Sequence, residues 1–325
     1  MPYGLFHDNS KKIAIRTITL LITLLPLSQV QSQDKAINSD SLFSADRISS
    51  IEIELPQKDW DFIRQQSRSF SESLGKETAE SPFEYVKGDV TIDGHKIEEV
   101  GIRKKGFLGS LNDERPSLKI KFDKYRDQDP VNGLDRLTLN NNNQDPSRVC
   151  QYLSYKLFRE SGPRSPRCGF SNVTVNGKYL GIYSNVDSIR PIFLEREFGD
   201  GTGDCFEGTI TDFFPDWVKK FEAKNKKASY KDLNKIAAAL ALPEPEQDVL
   251  QKQLNLDAFI QFWAMESLIG FWDGYCSNQN NFFVYQNPSD SKFYFIPWGT
   301  DSAFTISSPI PPYRIRPKSA HAKAI

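Results

Sequence analysis

An α+β fold in two lobes, with a β-rich N-terminal half and a helical C-terminal half, is the architecture that the order of patterns along this sequence predicts. Two observations carry it. Short runs of alternating polar and apolar residues, joined by Asp-Gly and Asn-Gly turns, fill the first half around one helical stretch. Longer helical patterns, one mixing charged and apolar residues and one strongly apolar, dominate the second half. With 325 residues the chain can bury a substantial core, as one large domain or as two closely joined lobes. Aromatic residues make up 12%, which argues for a folded core although the apolar share is below the globular norm. The 41 basic and 42 acidic residues lack the basic excess of nucleic-acid binders, so no nucleic-acid partner is expected.

The chain opens with Lys11, Lys12 and Arg16, then an apolar run from Thr17 to Leu27, then a small residue at Ser32. That order reads as a signal peptide over residues 1–32, with a secreted or extracytoplasmic mature chain. The run is shorter than the ~20 apolar residues of a spanning helix, so no membrane span is expected in the mature chain. Residues 33–47 read as a polar linker, 48–308 as the folded domain and 309–325 as a proline-rich basic tail.

Within the domain, Ile51–Leu55 alternates as a strand closed by Pro56, and Asp59–Ile63 reads as a short helix. Ser67–Ser81, rich in Ser and Glu, reads as a mobile loop. Asp89–Ile92 and Lys96–Val100 flank Asp93-Gly94, a type I′ hairpin signal, and Gly101–Gly106 runs on into a loop. Ser117–Phe122 and Leu134–Leu139 read as strands, the second ending in the run Asn140–Asn143. A helix is expected over Ser147–Gly162, capped by Asp145 or Ser147, with Val149, Leu153, Leu157 and Phe158 as its apolar stripe. Asn172–Tyr183 forms a hairpin on Asn176-Gly177. Asp216–Leu242 reads as helices, Pro243–Pro245 as a break, Leu254–Ile269 as an apolar helix, and Asn281–Tyr285 and Lys292–Ile296 as aromatic strands. Cys150, Cys168, Cys205 and Cys276 lack the paired spacings of a zinc site. They fit either two bridges, in three possible pairings, or four small buried side chains.

The chemistry lies late in the chain. Asp273 is followed five positions on by Asn278, and Asp301 comes after an intervening apolar hairpin. Protein kinases use that order for a catalytic Asp, a metal-binding Asn and a metal-binding Asp. The His-Arg before the first Asp and the Phe-Gly after the last are absent, which excludes an ordinary kinase. In such chemistry Asp273 accepts the acceptor's proton, while Asn278 and Asp301 supplement water and phosphate around magnesium. The bland reading is a plain Asp-Gly turn followed by a solvated Asn loop. Lys119 and Lys121 share one face of a strand, where a lysine can reach the phosphates of a nucleotide, Lys119 being preferred. Solvated sheet lysines are the alternative. Lys105-Gly106 and Gly109-Ser110 can form a loop over phosphates. His7, His95 and His321 are scattered, and no placed base supports a Ser or Cys nucleophile.

Taken together, Arg103-Lys104-Lys105-Gly106, Ser117–Phe122, Asp145-Pro146-Ser147, Val175–Tyr183, Trp272-Asp273 and Pro297-Trp298-x-x-Asp301 resemble, in order, the CotH kinase family of secreted or surface-exposed atypical kinases. The resemblance spans Ile51 to Phe304. It implies an atypical kinase-like two-lobed fold, ATP with magnesium or manganese, and transfer of the γ-phosphoryl group to Ser/Thr hydroxyls of a protein substrate. By the same resemblance Arg103, Lys105, Lys119 and Lys121 contact nucleotide. Asp187 follows the Gly-x-Tyr strand where the family tends to carry an acid, which implies a contact to nucleotide or lysine, a helix N-cap being the alternative.

Three departures stand out. Gly299 replaces a carboxylate of the family's Pro-Trp-Asp-x-Asp, and Cys150-Gln151 replaces an Arg-acid pair. The family pattern usually continues past Trp-x-x-Asp, so a domain shortened at its C-terminal end is expected. An inactive relative retained as an interaction module of the envelope or extracellular surface is the alternative function. Mass spectrometry of exported protein is expected to find an N-terminus close to Gln33; an intact Met1–Arg16 segment would overturn the signal-peptide reading.

Overall fold

Period-two alternation on seven strands closes a barrel around aliphatic side chains. The computed structural model of the chain describes residues 37–68 and 81–304. In it, β1 (Ile48–Glu54), β2 (Val86–Ile92), β3 (His95–Lys105), β4 (Ser117–Lys121), β5 (Arg136–Asn140), β6 (Cys168–Val175) and β7 (Lys178–Val186) run in the order β1-β2-β3-β4-β5-β7-β6. The parallel β1–β6 pair closes the ring; the other neighbours are antiparallel. Ile51, Ile53, Val90, Ile92, Val100, Ile102, Leu118, Ile120, Leu137 and Leu139 fill it. Asp93 and Gly94 (φ 49° and 86°), and Asn176 and Gly177 (φ 48° and 77°), give both hairpins the left-handed turns expected of them.

Helices flank the barrel. The expected polar linker instead contains a helical turn, α1 (Ser39–Leu42), because Leu42 and Phe43 are apolar enough to enter the barrel's core. Asn185 Nδ2 donates to Leu42 O at 2.9 Å and holds the turn there. Helix α2 (Gln57–Gln65) buries Trp60 and Ile63. At the start of α3 (Cys150–Glu160) the Asp145 carboxylate accepts from the backbone N–H of Ser147 at 2.9 Å and of Cys150 at 2.8 Å. The expected stripe of α3 holds at Leu157 and Phe158, which pack into the core, and is corrected at its other two positions. Val149 and Leu153 are 38% and 41% exposed, and the buried face is Gln151, Ser154, Tyr155 and Phe158. Gln151 and Tyr155 find hydrogen-bond partners inside, which removes the cost of turning polar groups inward.

The second half combines helices with a smaller sheet in the order β11-β10-β8-β9, from β8 (Cys205–Gly208), β9 (Glu222–Ala223), β10 (Phe282–Asn287) and β11 (Lys292–Pro297). Helices α4 (Pro191–Phe198), α5 (Lys231–Leu240), α6 (Gln247–Gln253), α7 (Leu256–Leu268) and α8 (Tyr275–Asn278) accompany it. Their core is aromatic: Phe206, Phe213, Phe221, Phe259, Phe262, Tyr275, Phe282 and Phe295 pack together. The helices expected over Asp216–Leu242 shrink to Lys231–Leu240, since Pro215–Lys220 is a 3₁₀ turn and Glu222–Ala223 pairs with β8. Tertiary pairing overrides local propensity there.

The protein is therefore α+β, with a strand-rich N-terminal part that ends at Val186 and most of its helices after it. All four cysteines are free; Cys168, Cys205 and Cys276 are buried and Cys150 half-buried. No described helix is long and apolar enough to cross a membrane. The expected signal peptide, most of the Ser67–Ser81 loop and the proline-rich tail lie outside the described residues.

Leu42 supplies a prediction. Leu42→Ala should lower the unfolding free energy by about 2–4 kcal/mol in urea titrations, as core Leu truncations do. Ile48→Ala, at a side chain 49% exposed, should cost much less.

Candidate active site

Strand β4 presents Lys119 on the outside of the barrel because Leu118 and Ile120 on either side turn into its core. Register sets Lys119 beside Arg103 of β3, and Lys105 beside Ser117. These three cations line a cleft of about 1120 Å³. The segment carrying Asp273 and Asn278, the turn carrying Gly299 and Asp301, Glu207 of β8 and Lys224 just after β9 line the same cleft. Arg103, Lys105, Lys119, Asp273, Asn278 and Asp301, far apart in sequence, thus meet in one place.

Lys121 and Asp187 lie elsewhere. Lys121 shares the strand face of Lys119 but sits one pleat along, between Gly101 and Arg136, and pairs with Asp123 at 3.5 Å. Asp187 is fully buried, accepting from Arg167 at 2.8 Å and Arg196 at 2.7 Å, so its carboxylate is engaged in an ion-pair network.

Asp273 is ringed by amides. Its Oδ1 accepts from Asn278 Nδ2 at 2.6 Å and from Asn280 Nδ2 at 3.1 Å, and its Oδ2 from Asn281 Nδ2 at 2.8 Å. Burial raises its pKa despite these three bonds, which act in the opposite direction. Asp301 is pushed up to about 6 by burial, against the pull of Lys105. Lys105 falls to about 8 and Lys119 goes well below the ordinary lysine value, both from desolvation in the cleft. Burial works to raise Glu207, but Lys224, with Lys119 and Lys105 behind it, outweighs that and lowers its pKa. Lys224 is raised, bridging Glu207 and Glu222.

A hydrogen-bond chain connects the cationic wall to the Asp301 turn. Lys105 Nζ donates to Asn140 Oδ1, and Asn140 Nδ2 donates to Gln151 Oε1 at 2.7 Å. Gln151 Nε2 donates to the Tyr155 hydroxyl at 3.4 Å, which accepts from Gly299 N–H at 3.1 Å. Gly299 has φ +56°, and a Cβ there would lie 2.8 Å from Asn281 Oδ1. The space that a side chain would enter at 299 is thus bounded by one of the amides that hold Asp273.

Desolvated lysines suit an anion, and two carboxylates with an amide oxygen suit a hard cation. Among the described residues no three His, Cys, Asp or Glu side chains form a metal-binding group. Magnesium takes one or two carboxylates and completes its shell with water and phosphate. Asn278 donates to Asp273 through Nδ2, so its amide oxygen is the atom it would offer to a cation.

A family model described as CotH kinase protein matches residues 102–321. The chain belongs to this CotH family. Among curated proteins it is 24% identical over 188 residues to the inner spore coat protein H of Bacillus subtilis, covering 53% of this chain and 51% of that one. It is 22% identical over 178 residues to spore coat protein homolog 1 of Rhizopus delemar, covering 50% and 29% respectively. An inner spore coat protein H-like protein of Bacillus subtilis is 32% identical over 91 residues, 28% of each chain. This CotH chain therefore spans about half the length, or less, of the curated relatives it matches.

Sequence reasoning missed Glu207, Lys224, Asn140, Asn280 and Asn281. The Asn run after Asn278 was visible as a loop, but only the folded loop turns those amides onto Asp273. Glu207 and Lys224 sit in or beside short strands that carry little periodic signal.

Asp301 yields a stability prediction for the metal-free protein. Its folded pKa of about 6 exceeds the usual 3.8, so the folded state holds the extra proton between these values. Its contribution to stability is therefore largest at low pH and is lost as pH rises through about 6. Asp301→Asn should flatten that dependence and raise unfolding free energy at pH 8 by about 1–3 kcal/mol in urea titrations.

Proposed function

We propose that this CotH chain is an extracytoplasmic atypical kinase that transfers the γ-phosphoryl group of ATP to a Ser or Thr hydroxyl of a protein. The observation that carries the reading is the meeting, in one cleft, of Asp273, Asn278 and Asp301 with Lys105 and Lys119. The order Asp-Asn-Asp alone is also the order of a turn and a loop. Its convergence with desolvated cations is what phosphoryl transfer requires.

In the transfer, the acceptor hydroxyl oxygen forms a bond to the γ-phosphorus as the bond to the bridging oxygen breaks, and ADP leaves. The hydroxyl proton passes to Asp273. A carboxylate raised by burial is a better base than an exposed one, and its three amide donors fix its orientation. Lys119 and Lys105 would regain full charge against phosphate oxygens, which compensates their desolvation. Magnesium, held by Asn278 and Asp301, would neutralise charge on the phosphates. The spore-coat names of the matched relatives support a location outside the cytoplasm, on a coat or surface.

Two observations favour a second reading, an interaction module without transfer. Gly299 lacks the carboxylate expected from the resemblance, and Gln151 puts a neutral amide where an acid is expected. Magnesium-dependent ATP titrations and radiolabel transfer onto protein separate the two. Asp273→Asn should keep Mg-ATP affinity near wild type and lose about 10²–10⁴-fold in transfer. Asp301→Ala should weaken the magnesium-dependent part of nucleotide binding, and Lys119→Ala should weaken ATP binding about tenfold or more. A wild-type chain that binds no nucleotide would leave the interaction module as the function.

A further inference from the structure

We propose that Glu266, with Asp212 as a second anchor, is the positioning residue of the Asp273 loop. This inference rests on the kinase reading above. Glu266 lies in the last turn of α7, fully buried, and does not line the cleft. Its Oε1 accepts from the backbone N–H of Tyr275 at 3.1 Å, and its Oε2 from that of Cys276 at 2.9 Å. Those two donors open the short helix α8, where they have no partner within the helix. A Cβ at Gly274 would fall 2.4 Å from Glu266 Oε1, so the residue after Asp273 must be bare for the carboxylate to reach its donors.

Asp212 holds the far side of the same loop. Its Oδ2 accepts from Gln279 Nε2 at 2.9 Å, and its Oδ1 from the Tyr275 hydroxyl at 2.9 Å. Thr211 N–H donates to Gln279 O at 2.9 Å, and Gln279 itself is left-handed at φ 54°. Tyr275 is thus gripped at its backbone by one carboxylate and at its hydroxyl by the other. Asp273 precedes the gripped stretch, Asn278 lies within it, and Asn280 and Asn281 follow it.

Stability alone does not account for this arrangement. The Glu266 carboxylate has no cationic partner among the described residues, which makes it costly to bury, and burial pushes it up to about 7. Apolar substitutes for buried charges are often no less stable. What the two carboxylates supply is a fixed path for the backbone between the catalytic aspartate and its asparagines. Displacements of about 1 Å at reacting groups can cost on the order of 10²-fold in rate.

The test uses the full chain and the variants Glu266→Gln and Asp212→Asn. In Glu266→Gln one of the two N–H groups meets an amide NH₂ instead of an acceptor. The expected result is a transfer kcat lower by about ten- to a hundredfold, with KM for Mg-ATP within about threefold of wild type. Deuterium exchange at Tyr275 and Cys276 should accelerate, while exchange in the barrel strands stays unchanged. Wild-type kcat in a folded Glu266→Gln would overturn the proposal. So would losses of kcat and nucleotide affinity that only follow a loss of folded protein. Should Glu266→Gln fail to fold, Asp212→Asn is read in the same way, with exchange at Gln279. If the wild-type chain transfers no phosphoryl group, the kinase reading fails by itself, and exchange still decides: unchanged protection of the loop overturns the anchor, and selective loss upholds it.

Discussion

The Asp273 carboxylate sits in a partly buried loop where three asparagine amides donate to it, and much of the second half of the chain serves to keep those amides in place. A carboxylate removed from water needs donors, and an amide ring supplies them without adding a competing positive charge. The ring closes only if the backbone from 273 to 281 follows one path, including left-handed residues at Gln279 and Asn281. Helix α7 ends so that Glu266 meets that path from one side, and the segment before Pro215 brings Asp212 from the other. The aromatic core beneath, with Tyr275 packed against Phe282 and Phe295, makes the path rigid.

The barrel answers with the opposite charge. Its inner face is aliphatic, so alternation sends Arg103, Lys105 and Lys119 to the outer face, where they line the cleft. Lys104, between two of these cations, turns inward and is satisfied by Asp113 at 2.7 Å and Arg64 O at 2.5 Å. Glu207 and Asp301 offset part of the outer positive charge without removing the desolvation of Lys105 and Lys119. The proposed Mg-ATP would bring an anion to these lysines together with a cation for the carboxylates.

Two neutral positions set this chain apart from the pattern it resembles. Gln151 accepts from Asn140 and donates toward Tyr155, a neutral amide where the resemblance leads one to expect an acid. Gly299 leaves Asn281 beside the turn that carries Asp301. Both substitutions lower the negative charge around the cleft, and each neutral group has found a hydrogen-bonding place in the network.

The hairpins on Asp93-Gly94 and Asn176-Gly177, the barrel strands Ser117–Lys121 and Arg136–Asn140, and the apolar helix α7 were legible from residue order alone. Each is specified by near neighbours: turn chemistry, period-two alternation or an apolar run. The buried face of α3, the short strands β8 and β9 and the burial of Leu42 were not, because each depends on a partner distant in the chain. At the site, the sequence by itself determined the chemical inventory, an Asp-Asn-Asp order and a strand face carrying two lysines, of which Lys119 was preferred. Only the tertiary structure decided that Lys119 faces the cleft while Lys121 pairs with Asp123, and that Asp187 is consumed by two arginines. Alternation tells which side of a strand a residue takes, but where along that side a cleft opens is set by the packing of the other half of the molecule against it.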